Sequence, residues 1–223
     1  MWAVIPIKNL NETKHRLKSA LNPQERRDFF VEMFKDVLTT LLAVPELEQV
    51  AVATVCPIAG KIAKKYGTSV LFTEKDEGQT AAVTRTAEIL ESKRVAKMLM
   101  LPGDVPLVTV EEIQTVIATH ENARSTPEVP AMTIVPARDE QGSNCIVLSP
   151  PTAAPLRFGP NSYFPHLETA RKLGVSLQTL KLPGIGLDID TPEDLLELGR
   201  QSVQTRAQNY LQKYKILERI KIA

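Results

Sequence analysis

The residues of this chain whose types and spacing suit chemistry are three carboxylates and a cluster of cations near the amino terminus. Asp104 stands in "MLMLPGDVPLV" (98–108), where Pro102 and Gly103 break an apolar run and leave this aspartate as the first side chain past the break. A carboxylate there can hold a hard cation such as Mg2+, which takes one or two protein carboxylates and completes its oxygen shell with phosphate and water. It can equally cap the turn or the next helix. Asp188 and Asp190, two apart in "PGIGLDIDTPEDL" (183–195), share a face if that stretch is extended. Such a pair repels itself unless a cation separates it; the alternatives are a hydrated surface pair, or Asp190 joining Thr191 as a helix cap. Three acidic residues at two strand ends are the most economical metal site in the chain.

The cations are Lys8, Lys14 and Arg16, in "PIKNLNETKHRL" after the first strand, with too few acidic neighbours to neutralise them. They suit a polyphosphate, which arginine grips bidentately and lysine meets as a point charge; a solvated loop of mixed charge is the alternative. Neither G-x-x-x-x-G-K-[ST] nor G-x-G-x-x-G occurs, so P-loop NTPase and dinucleotide-dehydrogenase readings lose their main support. Of the three histidines, His15 lies in the basic loop, His120 reads as helix surface, and His166 is a candidate for placing a substrate.

The elements that must position these groups alternate in kind. Strand composition appears at 2–7, 49–55, 69–72, 97–101, 131–135, 145–149 and 175–182. A helix opens at Asn22 with Pro23 in its first turn and carries Phe29, Phe30, Met33, Phe34, Val37, Leu38, Leu41 and Leu42 on one stripe. Further helices are expected at 79–92, 109–123 and 165–173, and Thr191-Pro192-Glu193-Asp194 opens another. This alternation predicts an α/β fold with a mainly parallel central sheet flanked by helices, and the consecutive strands at 131–149 predict a small antiparallel insertion. Met98 and Met100 alternate on a central strand and belong to the core. We expect one domain over 1–199 and a helical tail over 200–223.

At 223 residues, 43% hydrophobic and 24% charged, the chain can bury one sizeable core. A formal net charge of +1 gives no overall field for nucleic acid or an anionic membrane. The two cysteines, Cys56 and Cys145, lack metal-ligand spacing and make a disulfide framework or zinc site improbable. The opening apolar run is too short for a signal segment and none reaches membrane-span length, so a cytoplasmic location is expected.

Ile5-Pro6-Ile7-Lys8, Lys14-x-Arg16-Leu17, Gly103-Asp104-x-Pro106-Leu107, Asp139-x-x-Gly142-Ser143-Asn144, Phe158-Gly159-Pro160-Asn161-Ser162 and Leu187-Asp188-Ile189-Asp190-Thr191-Pro192-Glu193-Asp194-Leu195 follow one another in this order. Together they resemble the 2-phospho-L-lactate guanylyltransferase family of coenzyme F420 biosynthesis, including its phosphoenolpyruvate-using and 3-phospho-D-glycerate-using branches. The resemblance runs from residue 4 to about residue 198. G-D-x-P-L alone is shared by many nucleotidyltransferases, whereas the F-G-x-x-S block with L-D-I-D-T-P-x-D-L is much narrower.

The resemblance implies a GT-A-like, Rossmann-like nucleotidyltransferase fold and a reaction in which a phosphate oxygen of a small phospho-acid attacks the α-phosphorus of GTP, expelling pyrophosphate. It implies Mg2+ on Asp104, Asp188 and Asp190, and catalytic roles for Lys14, Arg16 and Asp104. Nucleotide contacts are carried to Pro6, Lys8, Lys14, Arg16, Gly78, Thr80 and Gly103, and acceptor contacts to Ser143, Asn144, Gly159 and Ser162. The product would pass to a deazaflavin phospho-acid transferase, and a homodimer through the 131–149 hairpin or the tail is a reasonable arrangement. One departure stands out: Gly78-Gln79-Thr80-Ala81-Ala82 replaces the Gly-Leu-Asn-x-Ala common in such enzymes ahead of the second helix. Two other classes remain open, a sugar-phosphate or molybdenum-cofactor nucleotidyltransferase and a non-catalytic phospho-ligand-binding protein.

Overall fold

Apolar runs that are buried on both faces of a sheet read as continuous rather than alternating, and that is how this chain builds its centre. In a computed structural model, which describes residues 1–10, 13–72, 78–123, 126 and 128–220, seven strands form one sheet: β1 (Trp2–Ile7), β2 (Gln49–Thr54), β3 (Ser69–Phe72), β4 (Met98–Met100), β5 (Ala131–Pro136), β6 (Ser143–Ser149) and β7 (Ser176–Thr179). Their spatial order is β3-β2-β1-β4-β6-β5-β7. β1 to β4 pair in parallel, β6 runs against both β4 and β5, and β7 is parallel to β5. The expected antiparallel part is thus the single reversed strand β6.

Helices α1 (Pro23–Leu42), α2 (Pro57–Lys65), α3 (Gly78–Ser92), α4 (Val110–Asn122), α5 (Tyr163–Lys172), α6 (Pro183–Gly186), α7 (Pro192–Arg200) and α8 (Arg206–Lys213) complete the fold. Side-chain alternation divides each strand between two cores. Ala3, Ile5 and Ile7 of β1, Leu99 of β4, and Cys145 and Val147 of β6 meet α1, α2 and α4. Val4, Met98, Met100, Ile146 and Leu148 meet α3 and α5 on the other face. Each such Leu, Ile or Met removed from water contributes ~1.5–3 kcal/mol, enough collectively to hold the sheet edge rigid.

Helix ends follow the capping residues. Asn22 accepts from the Glu25 N–H at 2.9 Å while Glu25 accepts from the Asn22 N–H at 2.9 Å, closing a capping box over Pro23. Thr191 and Asp194 close another at α7. The α1 stripe is buried from Phe29 to Leu41, but Leu42 is exposed, because the helix ends there and its last side chain turns off the core. α2 was not among the expected helices; it packs through Ala59, Gly60 and Ala63, with Ile62 partly buried beside them. The strand expected over 175–182 stops at Thr179, and Pro183 opens α6.

His120, expected on the helix surface, is fully buried. It continues the Ile113, Val116 and Ile117 face of α4 onto the sheet, where Thr133 Oγ1 (3.0 Å) and Ser149 Oγ (2.7 Å) satisfy its ring. The 131–149 hairpin offers no free edge to a second copy: β6 is flanked by β4 and β5, and β5 by β6 and β7. In the tail, α8 docks on α1, with Asp36 accepting from the Arg206 and Ala207 N–H groups (3.0 and 2.9 Å) and Ala207 and Leu211 entering the α1 core. No helix among the described residues is long and apolar enough to cross a membrane.

Candidate active site

The chain leaves β1 toward β2 on one side and returns, after β3, to β4 on the other. Reversal of strand order opens a crevice beyond the carboxyl ends of β1 and β4, the place where open α/β sheets bind ligands. A cavity of about 570 Å3 lies there. Arg16 reaches it from the segment after β1, Asp104 from the segment after β4, and Ser143 and Asn144 from the start of β6, which begins at this edge because β6 runs backwards. The loops 157–162 and 187–191 supply Gly159, Ser162, Asp188 and Asp190.

Asp188 and Asp190 do not sit at a strand end, as the spacing suggested; they occupy the link between α6 and α7. The link reaches Asp104 through a backbone bond from the Ile189 N–H to the Asp104 carbonyl, 3.0 Å. Asn144 spans the same junction, its amide donating to the Ile185 carbonyl (2.9 Å) and to Asp188 Oδ1 (3.0 Å).

Lys14 is the centre of the charge arrangement. Its backbone is left-handed, with φ 57°, at the start of a 3-10 turn (His15–Ser19) anchored by fully buried Leu17. That geometry drives the side chain inward, where Nζ lies 2.5 Å from Asp104 Oδ2 and 2.5 Å from Asp190 Oδ1. Burial by itself would lower the ammonium's pKa, but the Asp104 and Asp190 carboxylates outweigh it and hold Lys14 well above the lysine range. Asp190 behaves conversely: burial pushes it up, yet Lys14, Arg16 and Lys8 hold it below the ordinary aspartate value. Asp188 is pushed up to about 6 by burial and then by the Asp104 charge.

Among the described residues no three carboxylate, imidazole or thiolate side chains form a preassembled metal cage. The donors nevertheless fit a cation that arrives with a phosphate chain. Asp104 Oδ1 is buried and has no hydrogen-bond partner, and Asp104 Oδ2 and Asp190 Oδ1 already converge on one positive centre. Mg2+ needs no more than one or two carboxylates when phosphates and water supply the rest.

The other expected residues fall into two sets. Ser143, Asn144, Gly159 and Ser162 line the cavity with the acids. Lys8 is exposed outside the wall, Pro6 is half-buried within β1, and Gly78 opens α3. Gly103 is a packing residue: a Cβ there would meet Ile7 Cδ1 at 2.6 Å. Thr80 ties down a loop, its hydroxyl accepting from the Phe158 N–H (2.9 Å) and facing the Phe158 carbonyl (3.4 Å), while its neighbour Gln79 lines the cavity. Sequence reasoning passed over Arg138, on the wall beside Ser143 with its guanidinium 3.3 Å from Asp194; its position one residue before the Asp139-x-x-Gly142 block was the available signal.

The family model described as guanylyl transferase CofC like matches residues 1–221. The chain belongs to this family. The phosphoenolpyruvate guanylyltransferase of Sphaerobacter thermophilus is 30% identical over 196 residues, 88% of this chain and 91% of that one. The 3-phospho-D-glycerate guanylyltransferase of Colwellia psychrerythraea is 30% identical over 192 residues, covering 86% and 88%. Among solved structures, a cytidylyltransferase from Leptospira borgpetersenii superposes with a TM-score of 0.62 at 15% identity, covering 100% of this chain and 98% of that one. Likeness at that identity establishes the shared nucleotidyltransferase fold.

Proposed function

We propose that this CofC-like protein transfers the guanylyl group of GTP to the phosphate of a small phospho-acid, 2-phospho-L-lactate, phosphoenolpyruvate or 3-phospho-D-glycerate, with release of pyrophosphate. The supporting observation is the Asp104–Lys14–Asp190 contact at the strand-order reversal, set against a wall of neutral donors from β6 and the 157–162 loop. In this reading an acceptor phosphate oxygen forms a bond to the α-phosphorus of GTP, and the bond from that phosphorus to the pyrophosphate oxygen breaks. The acceptor is already an anion, so no side-chain base is needed; the protein supplies position and charge.

Arg16, with Lys8 nearer the solvent, neutralises the triphosphate, and Lys14 holds the two carboxylates at the site's floor. Ser143, Ser162, Asn144 and the backbone around Gly159 orient the acceptor. Asp104 and Asp190, with Asp188, would hold Mg2+, which when bound screens the charge developing on the phosphate oxygens. The guanylylated acid is a mixed phosphoanhydride, suited to donation by a deazaflavin phospho-acid transferase in coenzyme F420 biosynthesis, in the cytoplasm.

The test is incubation of the purified protein with Mg2+, GTP or ATP, and each of the three acids separately, following pyrophosphate and product mass. Pyrophosphate with GTP and one acid, together with the matching mass, is the expected result. With a sugar phosphate offered in a parallel incubation, release with that compound alone, or none with any acid from folded protein, would overturn the reading.

A further inference from the structure

Ser143 Oγ lies in a hydrogen-bond set whose directions are dictated by a residue behind it. His166, fully buried on α5, receives the Arg157 backbone N–H at Nε2, 2.9 Å away, and its Nδ1 is 2.9 Å from Ser143 Oγ. A backbone N–H can only donate, so Nε2 must be the bare nitrogen; a neutral imidazole then carries its one proton on Nδ1 and donates it to Ser143. The Ser162 hydroxyl donates to the same oxygen at 3.3 Å. Ser143 therefore cannot donate to the ring, and its own proton turns away from it, toward the cavity on whose wall Ser143 lies. Burial pushes the imidazole pKa down to about 4, and the Phe158 ring covers it edge-on at 5.5 Å, so the ring is neutral across the working range.

We propose that His166 is a positioning residue of the acceptor site: by donating to Ser143 Oγ it makes the Ser143 hydroxyl an obligatory donor, selecting a deprotonated phosphate or carboxylate oxygen of the phospho-acid. This rests on the functional reading above and specifies how the acceptor is recognised. The same ring fixes two walls at once, because its Nε2 holds Arg157 at the root of the Phe158–Ser162 loop while its Nδ1 holds the first residue of β6. His120, a second buried histidine bonded to two hydroxyls, lies on residues that do not line the cavity and serves as the internal control.

Two measurements test this. Nitrogen-detected NMR of the ligand-free protein reads the tautomer; a protonated Nδ1 with a bare Nε2 is expected, and an Nε2–H form overturns the proposal without reference to any substrate. Calorimetry with phosphoglycolate, a minimal phospho-acid, then compares wild type, His166→Gln, Ser143→Ala and the double variant. Glutamine can keep the acceptor for Arg157 but loses the donor to Ser143, so affinity should drop on the order of fivefold, the equivalent of one neutral hydrogen bond. In the Ser143→Ala background the same change should cost nothing further, and His120→Gln should leave affinity intact. Unchanged binding in His166→Gln, or an equal loss in both backgrounds, sinks the positioning role alone. A folded wild type that does not bind phosphoglycolate overturns the functional reading and this inference with it.

Discussion

Replacing Lys14 with methionine is the sharpest probe of the site's electrostatics, since methionine keeps much of the side-chain volume and removes the charge together with the N–H donors to Asp104 and Asp190. In the wild type the ammonium, 4% exposed, is shared by carboxylates of which Asp104 is 21% and Asp190 42% exposed. Without it two carboxylates face each other, and Asp104, whose Oδ1 is already unpartnered, loses its remaining contact. Stripping one partner from a fully buried ion pair costs ~3–5 kcal/mol. Solvent screening at the half-exposed Asp190 reduces this to about 2–3 kcal/mol. For a chain of this length that corresponds to a melting temperature lowered by roughly 5–10 °C. Thermal denaturation by circular dichroism reads it directly. The cause is isolated by Lys14→Met/Asp104→Asn, which removes one of the opposed charges and should recover part of the loss. A single variant that melts with the wild type, or a double variant less stable than the single one, would refute the claim that Lys14 is the counter-ion of this acid pair.

Asp104→Asn should leave the fold intact and reduce guanylyl transfer at least ~100-fold, since it removes charge aimed at the reacting phosphates; near-normal turnover from initial rates would remove Asp104 from the machinery. Thr80→Val breaks the tie to Phe158 and should raise the acceptor KM while leaving the GTP KM near its starting value; the reverse pattern would put Thr80 at the nucleotide. The Asp36 carboxyl is pushed up to about 6 by burial, which outweighs its two backbone donors on α8. A folded pKa above the unfolded value gives stability that is present at pH 4 and lost as pH rises through about 6. Asp36→Asn, which carries no charge to desolvate, should therefore gain on the wild type between pH 4 and pH 7 in urea titrations; a constant gap would show that Asp36 does not titrate there.

Capping explains why some boundaries could be read directly. Asn22-Pro23 and Thr191-Pro192 act on their own first turns, so the starts of α1 and α7 follow from residues within a few positions. α2 is only nine residues long, and its buried face is made of small residues that give a weak apolar signal; His120 is buried because hydroxyls wait for it across the sheet, which a polar residue at a helical spacing does not announce. The candidate site divides in the same way. The identities of Asp104, Asp188, Asp190, Ser143 and Ser162 were legible, whereas Arg138, the Thr80 tie and the His166–Ser143 bond depend on partners 23 to 78 residues away.

From the sequence alone came the alternation of strands and helices, the residues able to meet phosphate, and the order of motifs that placed the chain beside a guanylyltransferase family. These are local quantities, set by period, composition and spacing. Only the tertiary structure decided that β6 runs backwards and so delivers Ser143 and Asn144 to the edge that holds Asp104, and that Lys14 turns inward between carboxylates 90 and 176 residues distant. Strand direction and side-chain partners at such separations are chosen by packing and charge neutralisation across the whole core, and no short window of sequence contains them.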